Sequence, residues 1–350
     1  MAKNAMRWDS MNKDDTPIEK LIIQFEAFNR SEGKTSKTVR WYNTGLGLFM
    51  DYLKGTNITP VLGNVDIGVV REYILHLQKR KKFENHPITP EQDELLSPVS
   101  INCYVRAVRA FFSWLYREGY TDENRLAKLK PPKFPQKLVD PLTDIELAAI
   151  VSAIDAHTSW GARNLSIILL LLDGGLRFTE VLTLEMSNLH IEECYVKVMG
   201  KGQKERIVPF GSSAQKVLMK YIFHFRLEPL ADDRVFLNLD GRPMTEAGLK
   251  LMIQRLARVS GVTRLHAHLL RHTFAVNYLM NGGDVFTLQQ ILGHTTLEMV
   301  RHYINLANAH VMTQHKRFSP VDRMNLRQIN RAVGVRKVSR ARRQAAITGR

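Results

Sequence analysis

The sequence predicts a mainly α protein with one small antiparallel β-sheet, arranged as an N-terminal helical bundle followed by an α+β domain. Three observations predict it. Apolar residues recur at helical spacing through residues 17–118 and again from 143 onwards. One stretch, Cys194 to Pro209, instead alternates apolar and polar residues, as a half-buried strand pair does. Between the two helical regions, Arg125 to Leu142 loses its periodicity and fills with lysine and proline, the composition of a stiff connector. A length of 350 residues also fits two domains better than one.

Residues 1–16 are polar and predicted to be a flexible N-terminus. Pro17 opens the first helix, with Leu21, Ile22, Phe25 and Phe28 at helical spacing. The second follows Ser36 and carries Val39, Tyr42, Leu46, Phe49 and Leu53. The third runs from about Val65 to Lys82, with Val69, Tyr73 and Leu77 inside and Lys79 to Lys82 exposed. An irregular segment around Pro87 to Pro98 leads into the fourth, which ends near Glu118 and turns Val105, Val108, Phe112 and Leu115 to one face. Four helices of this size make a bundle able to fold alone, which sets the first domain at 17–125 and the linker at 126–142.

Thr143, Asp144 and Glu146 signal the next helix start, with the helix reaching about Ala156. The stretch from Arg163 to Leu172 is apolar nearly all round, so it is predicted at the centre of the second domain. It ends at Gly174-Gly175, and Arg177-Phe-Thr-Glu180 begins another helix. Cys194–Met199 and Glu205–Pro209 read as a hairpin whose turn is Gly200-Lys201-Gly202-Gln203-Lys204, with Lys201 at its tip. It is no Walker A loop, because the glycine-to-lysine spacing is wrong and no helix follows. Helices about Ser213 to Phe225 and Thr245 to Arg258 flank an irregular piece ending Val235-Phe236-Leu237. A His268-x-x-Arg271 step then puts both side chains on one helical face. The helix from about Asp284 to Leu292 can end on Gly293 as a left-handed cap, with His294 just past it. Thr295-x-x-Glu298 spells a capping box for a last helix, and Tyr303 lies about two turns into it. The second domain therefore spans 143–318, and a basic tail with Leu326, Ile329 and Val333 at helical spacing occupies 319–350.

Charge names the class of partner. The formal net charge is +16 and the pI about 9.9, which point to a polyanion, most commonly nucleic acid. Lys34, Lys37, Arg40, Arg106, Lys130, Lys133, Lys250 and Arg255 are the candidate DNA contacts, with a merely solvated basic face as the alternative for each. The two cysteines, Cys103 and Cys194, lie in different predicted domains, which argues against a disulfide framework and for a reducing, intracellular setting. No secretory apolar region opens the chain, and the apolar run Ile167 to Leu172 is far too short to span a bilayer. A membrane is therefore not an expected partner, and the expected location is the cytoplasm, at the nucleoid if the source is bacterial.

A histidine, an arginine, a second histidine and a tyrosine thus fall on adjoining elements near the end of the second domain. That set suits phosphate chemistry with a tyrosine nucleophile. Arg177, directly after a buried helix and a Gly-Gly turn, stands on rigid backbone where it can grip a phosphate, and Glu180 can orient it. His266, His268 and His272 suggest a metal site by proximity alone. The companions of one, a His-Glu-x-x-His glutamate or a cysteine pair, are missing, so no metal ligand is assigned and His266 and His272 are read as structural.

Gly175-Leu-Arg177-x-x-Glu180, Gly200-Lys201-Gly202-x-Lys-x-Arg206, His268-x-Leu-Arg271-His272-Thr-x-Ala275, Leu292-Gly293-His294 and Tyr303 resemble the signature boxes of the tyrosine recombinases, the phage integrase family. They stand in that family's order and typical spacing between about Thr143 and Phe318. The helical bundle and basic linker resemble its core-binding domain, in a two-domain, Xer-like layout. The resemblance implies a DNA-binding bundle at 17–125 and an α+β tyrosine-recombinase catalytic domain at 143–318. It also implies the roles. Tyr303 would attack a DNA phosphodiester and leave a 3′-phosphotyrosyl bond and a free 5′-hydroxyl. Arg177 and Arg271 would clamp the non-bridging oxygens, and Lys201 would be the general acid for the departing oxygen. His268 would assist deprotonation of the tyrosine, His294 would hydrogen-bond the phosphate, and Glu180 would support the arginines from behind.

The covalent intermediate conserves bond energy, so no cofactor, metal or ATP is expected. The implied partners are double-stranded DNA recombination sites and further copies of the chain, as a dimer on a site and a tetramer in the synapse. Accessory DNA-bending or directionality proteins complete the expected set. Two activities stay open: site-specific strand exchange, as in integration, transposition or dimer resolution, and nicking-rejoining of the topoisomerase IB type. The intact residue set argues against a catalytically idle DNA-binding protein.

Overall fold

Side-chain caps place most helix starts where the sequence put them. In a computed structural model that describes residues 13–85, 89–132, 139–200, 205–230, 233–294, 296, 297, 300, 303, 315 and 319–321, the chain divides into two compact units, Met1–Lys137 and Leu138–Arg350.

The first unit is built on four helices: α1 (Ile18–Ser31), α2 (Ser36–Gly55), α3 (Ile67–Lys79) and α4 (Pro98–Arg117). Thr35, Asp66 and Ser97 each accept a hydrogen bond from a backbone N–H in the first turn of α2, α3 and α4, a contact that stabilises a helix by about 1 kcal/mol. Leu21, Phe25, Leu46, Phe49, Tyr73, Leu77, Phe111, Phe112 and Leu115 face inwards, each such burial contributing about 1.5–3 kcal/mol. Leu126 and Leu129 join this core and Asn102 donates to the Pro132 carbonyl, so the first part of the 126–142 stretch belongs to the packed unit.

One expectation fails here. The third helix stops at Lys79, not Lys82, and the segment expected to be irregular around Pro87 to Pro98 contains a strand: β1 (Lys81–Lys82) pairs antiparallel with β2 (Gln92–Leu95). The reason is charge. Lys81 pairs with Glu91 at 3.2 Å and Asp93 at 3.1 Å, and Lys82 pairs with Glu94, so an acidic strand claims lysines that helical periodicity assigned to an exposed face.

The second unit opens with α5 (Asp144–Ser152), capped by the box that Thr143 and Glu146 form. Helix α6 (Ser159–Asp173) is central, with Ile167, Ile168, Leu170 and Leu171 all in the core. After α7 (Phe178–Thr183) comes a three-stranded antiparallel sheet in the order β3 (Leu189–His190), β4 (Tyr195–Met199), β5 (Glu205–Pro209). The β4–β5 register runs from Tyr195 opposite Pro209 to Met199 opposite Glu205, on either side of the turn expected at 200–204, of which 201–204 lie outside the described residues. The helix expected from Ser213 to Phe225 is α8 (Ser212–Lys220) followed by a π turn over Tyr221–Phe225. Helices α9 (Glu246–Val259), α10 (Ala267–Met280) and α11 (Val285–Leu292) complete the described elements. Leu249, Leu269, Leu270, Ala275, Leu288 and Leu292 from these three pack with α6 and with Val196, Val198 and Val208 of the sheet in one core. Among the described residues no helix is long and apolar enough to cross a membrane. The expected capping box at Thr295 and Glu298 and the tail beyond Val321 lie outside the described residues.

Candidate active site

Two glycines make the site geometrically possible. Gly175, in the turn after α6, has φ +60°, and a Cβ there would stand 2.3 Å from Phe274 Cδ1 and 3.0 Å from Leu292 Cδ2. Only glycine permits both that backbone and that approach. Gly293 ends α11 in the left-handed conformation, φ 62° and ψ 46°, as expected, and a Cβ there would meet Arg206 Cδ at 2.9 Å. These turns bring the carbonyls of Gly175, Leu292 and Gly293 to one place, where arginines collect.

Arg177 precedes α7. Its backbone N–H donates to Glu180 Oε2 at 2.7 Å, its Nη1 to Glu180 Oε1 at 2.8 Å and its Nη2 to the Gly293 carbonyl at 3.0 Å. Arg271, on α10 and only 5% exposed, donates from Nη1 to the Gly175 carbonyl at 2.5 Å and from Nη2 to the Leu292 carbonyl at 2.7 Å. Burial, and then the Arg177 charge, pull its pKa down to about 10, so it still carries its proton at neutral pH.

Arg271 Nη2 also lies 3.1 Å from His294 Nε2. A guanidinium can only donate, so Nε2 accepts and the imidazole proton sits on Nδ1, which is buried without a hydrogen-bond partner among the described residues. Burial first, then the charges of Arg271, Arg177 and Arg206, push the His294 pKa down to about 4. His294 is therefore a neutral imidazole near pH 7.

Tyr303 is half-buried, and its ring stacks on that of His294 at 6.2 Å and 15°. The His272 ring lies 5.4 Å from it on the other contact, while His272 Nε2 donates to the Val139 carbonyl at 2.6 Å. Burial raises the phenol pKa, and the charges of Arg271 and Arg177 oppose the rise. His272 thus anchors the strand of chain entering the unit and also packs on the tyrosine, a placement that the sequence did not signal. His268 is exposed on the first turn of α10, and its pKa is lowered by burial and then by Arg271, His266 and Arg177. Lys201 lies outside the described residues.

Glu180, 7% exposed, holds the arginines together. Burial pushes its carboxyl pKa up, but hydrogen bonds from Arg206 and the Arg177 backbone and the Arg206 charge outweigh it and keep the group ionised. Arg206 supplies a bidentate fork, Nη1 to Oε1 and Nη2 to Oε2, both 2.8 Å. Sequence reasoning gave Arg206 no role; its place in a box between two glycines and an alternating strand was the available signal.

Of the candidate DNA contacts, Lys37, Arg40, Arg106, Lys130 and Arg255 are exposed. Lys34 instead donates to Asn29 Oδ1 at 2.5 Å and lies over the rings of Phe28 and Tyr42, so its ammonium is committed to the bundle surface. Lys250 is exposed and pairs with Glu246 at 3.0 Å. Lys133 lies outside the described residues.

Residues 141–310 match the phage integrase family. The tyrosine recombinase XerD of Listeria innocua serovar 6a is 27% identical over 294 residues, which cover 83% of this chain and 94% of that protein. XerD of Staphylococcus aureus is 28% identical over 308 residues, covering 87% and 99%. The structure of the XerH site-specific recombinase bound to palindromic difH substrate, a post-cleavage complex, shares the fold at a TM-score of 0.65 and 22% identity, over 84% of this chain and 82% of that one. The order of this chain's boxes, the meeting of Arg177, Arg271, His294 and Tyr303, and these matches support a tyrosine recombinase of the phage integrase family.

Proposed function

We propose that this tyrosine recombinase cuts and rejoins DNA strands at a specific site, exchanging them between two duplexes through a 3′-phosphotyrosyl intermediate. The observation that carries it is the meeting of Arg177, Arg271, His294 and Tyr303 around the turn at Gly293. A guanidinium has five N–H donors, and the contacts described engage only the ends of each. The remaining donors of Arg177 and Arg271 suit the non-bridging oxygens of a phosphodiester, and the planar forks hold charge as it builds.

Tyr303 Oη attacks phosphorus while its proton passes to His268. The Oη–P bond forms as the P–O5′ bond breaks, and the departing oxygen keeps the electron pair and takes a proton from Lys201. The buried phenol needs this help, because a tyrosine titrates near pH 10 even when exposed. Rejoining reverses the step, with a 5′-hydroxyl from the partner duplex attacking the phosphotyrosine and releasing the phenol. The bond energy is conserved throughout, so neither a nucleotide nor a metal is consumed. His294, neutral and carrying its proton on Nδ1, serves the phosphate as a hydrogen-bond donor once its ring turns to it.

The first unit, with its basic stretch, holds the duplex through Lys37, Arg40, Arg106 and Lys130. The lambda integrase structure that shares this fold, at a TM-score of 0.61, is a dimer bound to a COC' core site. A dimer on each site and a tetramer in the synapse is the assembly assigned to this chain, acting on DNA in the cytoplasm. Two supercoiled plasmids carrying the chain's mapped binding site test the reading. Joint molecules should form without ATP and in EDTA; relaxation of each plasmid without joint products would refute strand exchange.

A further inference from the structure

Arg206 is the second residue of β5 and stands opposite Val198 of β4. Its side chain is 10% exposed and every nitrogen of its guanidinium is used: both Nη atoms on Glu180 at 2.8 Å, and Nε on the Ile291 carbonyl at 2.8 Å. It is therefore committed to Glu180 and to the Ile291 carbonyl. Its stem fills the space beside Gly293, so it touches the turn that carries His294 as well as the carboxylate that aligns Arg177. One side chain thus ties three separate pieces of the site together: strand β5, the start of α7 and the end of α11.

The charges give this tie a consequence. Glu180 is desolvated and ionised, and both Nη1 of Arg177 and Nη1 of Arg206 donate to its Oε1. With Arg206 present the carboxylate is neutralised by a cation that holds both of its oxygens, and the Arg177 and Arg271 charges remain for the phosphate. Without it, Arg177 alone would answer a buried carboxylate, and the clamp would be one charge short.

We propose that Arg206 is a positioning residue for strand cleavage, which neutralises and orients Glu180 so that Arg177 keeps its full charge and its alignment for the scissile phosphate. The inference rests on the strand-exchange reading. Arg206→Gln and Arg206→Lys test it, through melting temperature, DNA affinity and the single-turnover rate of covalent-complex formation on a nicked duplex of the mapped site. Two forms of the duplex are used, one with a phosphodiester at the scissile position and one with a methylphosphonate there. Replacing a non-bridging oxygen by methyl removes one negative charge, so a clamp short of charge suffers less on it. Arg206→Gln should bind DNA as the native chain does and cleave the phosphodiester about 10²-fold more slowly, the loss typical of one charge-stabilising donor. On the methylphosphonate its deficit should shrink to under about tenfold. Arg206→Lys, which keeps a cation beside Glu180 but loses the fork, should recover much of the phosphodiester rate.

Native rates in both variants would overturn the proposal. So would equal slowing on both substrates, in Arg206→Gln or, should that variant fail to fold, in Arg206→Lys. A native chain that forms no covalent complex would overturn the strand-exchange reading, and this inference with it. Native cleavage beside unaffected variants would overturn this inference alone.

Discussion

A single imidazole shows how position sets chemistry at the scale of one residue. His294 follows a left-handed glycine and so lies against Arg271, and burial with three guanidiniums nearby holds its pKa near 4 rather than the ordinary 6.5. The unfolded chain then binds a proton that the folded chain refuses between about pH 6.5 and pH 4. Stability should therefore decline as pH falls through that window. Urea midpoints measured from pH 7.5 to 4.5 should show a shallower decline in His294→Gln than in the native chain; parallel slopes would contradict a buried neutral ring. Arg177→Ala should slow covalent-complex formation by about 10²–10³-fold, with DNA binding largely kept, as expected for a group whose main contact is with charge in the transition state. The side chains of Arg177, Arg271 and His294 were legible because each stands at a helix boundary or one helical turn from another marked residue, and Tyr303 through its place in the order of the boxes. The role of Arg206 was not. Its carboxylate partner is 26 residues away and its carbonyl partner 85, and no local spacing encodes either contact. The packing of His272 on Tyr303 was hidden for the same reason.

Among the elements, the turns govern the site more than the helices do. Gly175→Ala would force a Cβ to 2.3 Å from Phe274 at a positive φ, while Gly261, at φ +74°, has nothing within 4 Å of the same position. Gly261→Ala should thus cost only the backbone preference, about 1–2 kcal/mol. Gly175→Ala should cost that plus overpacking, about 2–5 kcal/mol together. Chemical denaturation of the two variants separates them, and equal losses would contradict the close approach. The helices were readable from apolar spacing and caps, with ends shifted by a few residues. The β1–β2 hairpin was not readable, since its two strands are charged and paired through Lys81, Lys82, Glu91, Asp93 and Glu94, without the alternation that marks a half-buried strand. Likewise, a run of lysine and proline concealed Leu126, Leu129 and Leu142, three leucines buried in the cores on either side.

On the scale of the whole molecule, charge and covalent chemistry make separate predictions. A net charge of +16 is ready to displace counterions from a phosphate backbone. If six to ten phosphates are contacted, affinity for DNA should fall by about 10³–10⁵ between 50 and 200 mM salt, and a flat response in a titration would contradict the clamp. Two units, one of them a bundle with exposed Lys37, Arg40 and Arg106, were legible from composition and periodicity; the register between strand and helix that completes the site was not, because it depends on contacts across the second unit's core. The chemistry turns on Tyr303 joining itself to DNA. The most direct measurement is covalent-complex formation on a nicked suicide substrate of the mapped site, resolved on a denaturing gel, for the native chain and Tyr303→Phe. The native chain should accumulate a protein–DNA adduct, whereas Tyr303→Phe should bind the same DNA with near-native affinity and yield none. An adduct or a cleaved strand from Tyr303→Phe would contradict the account.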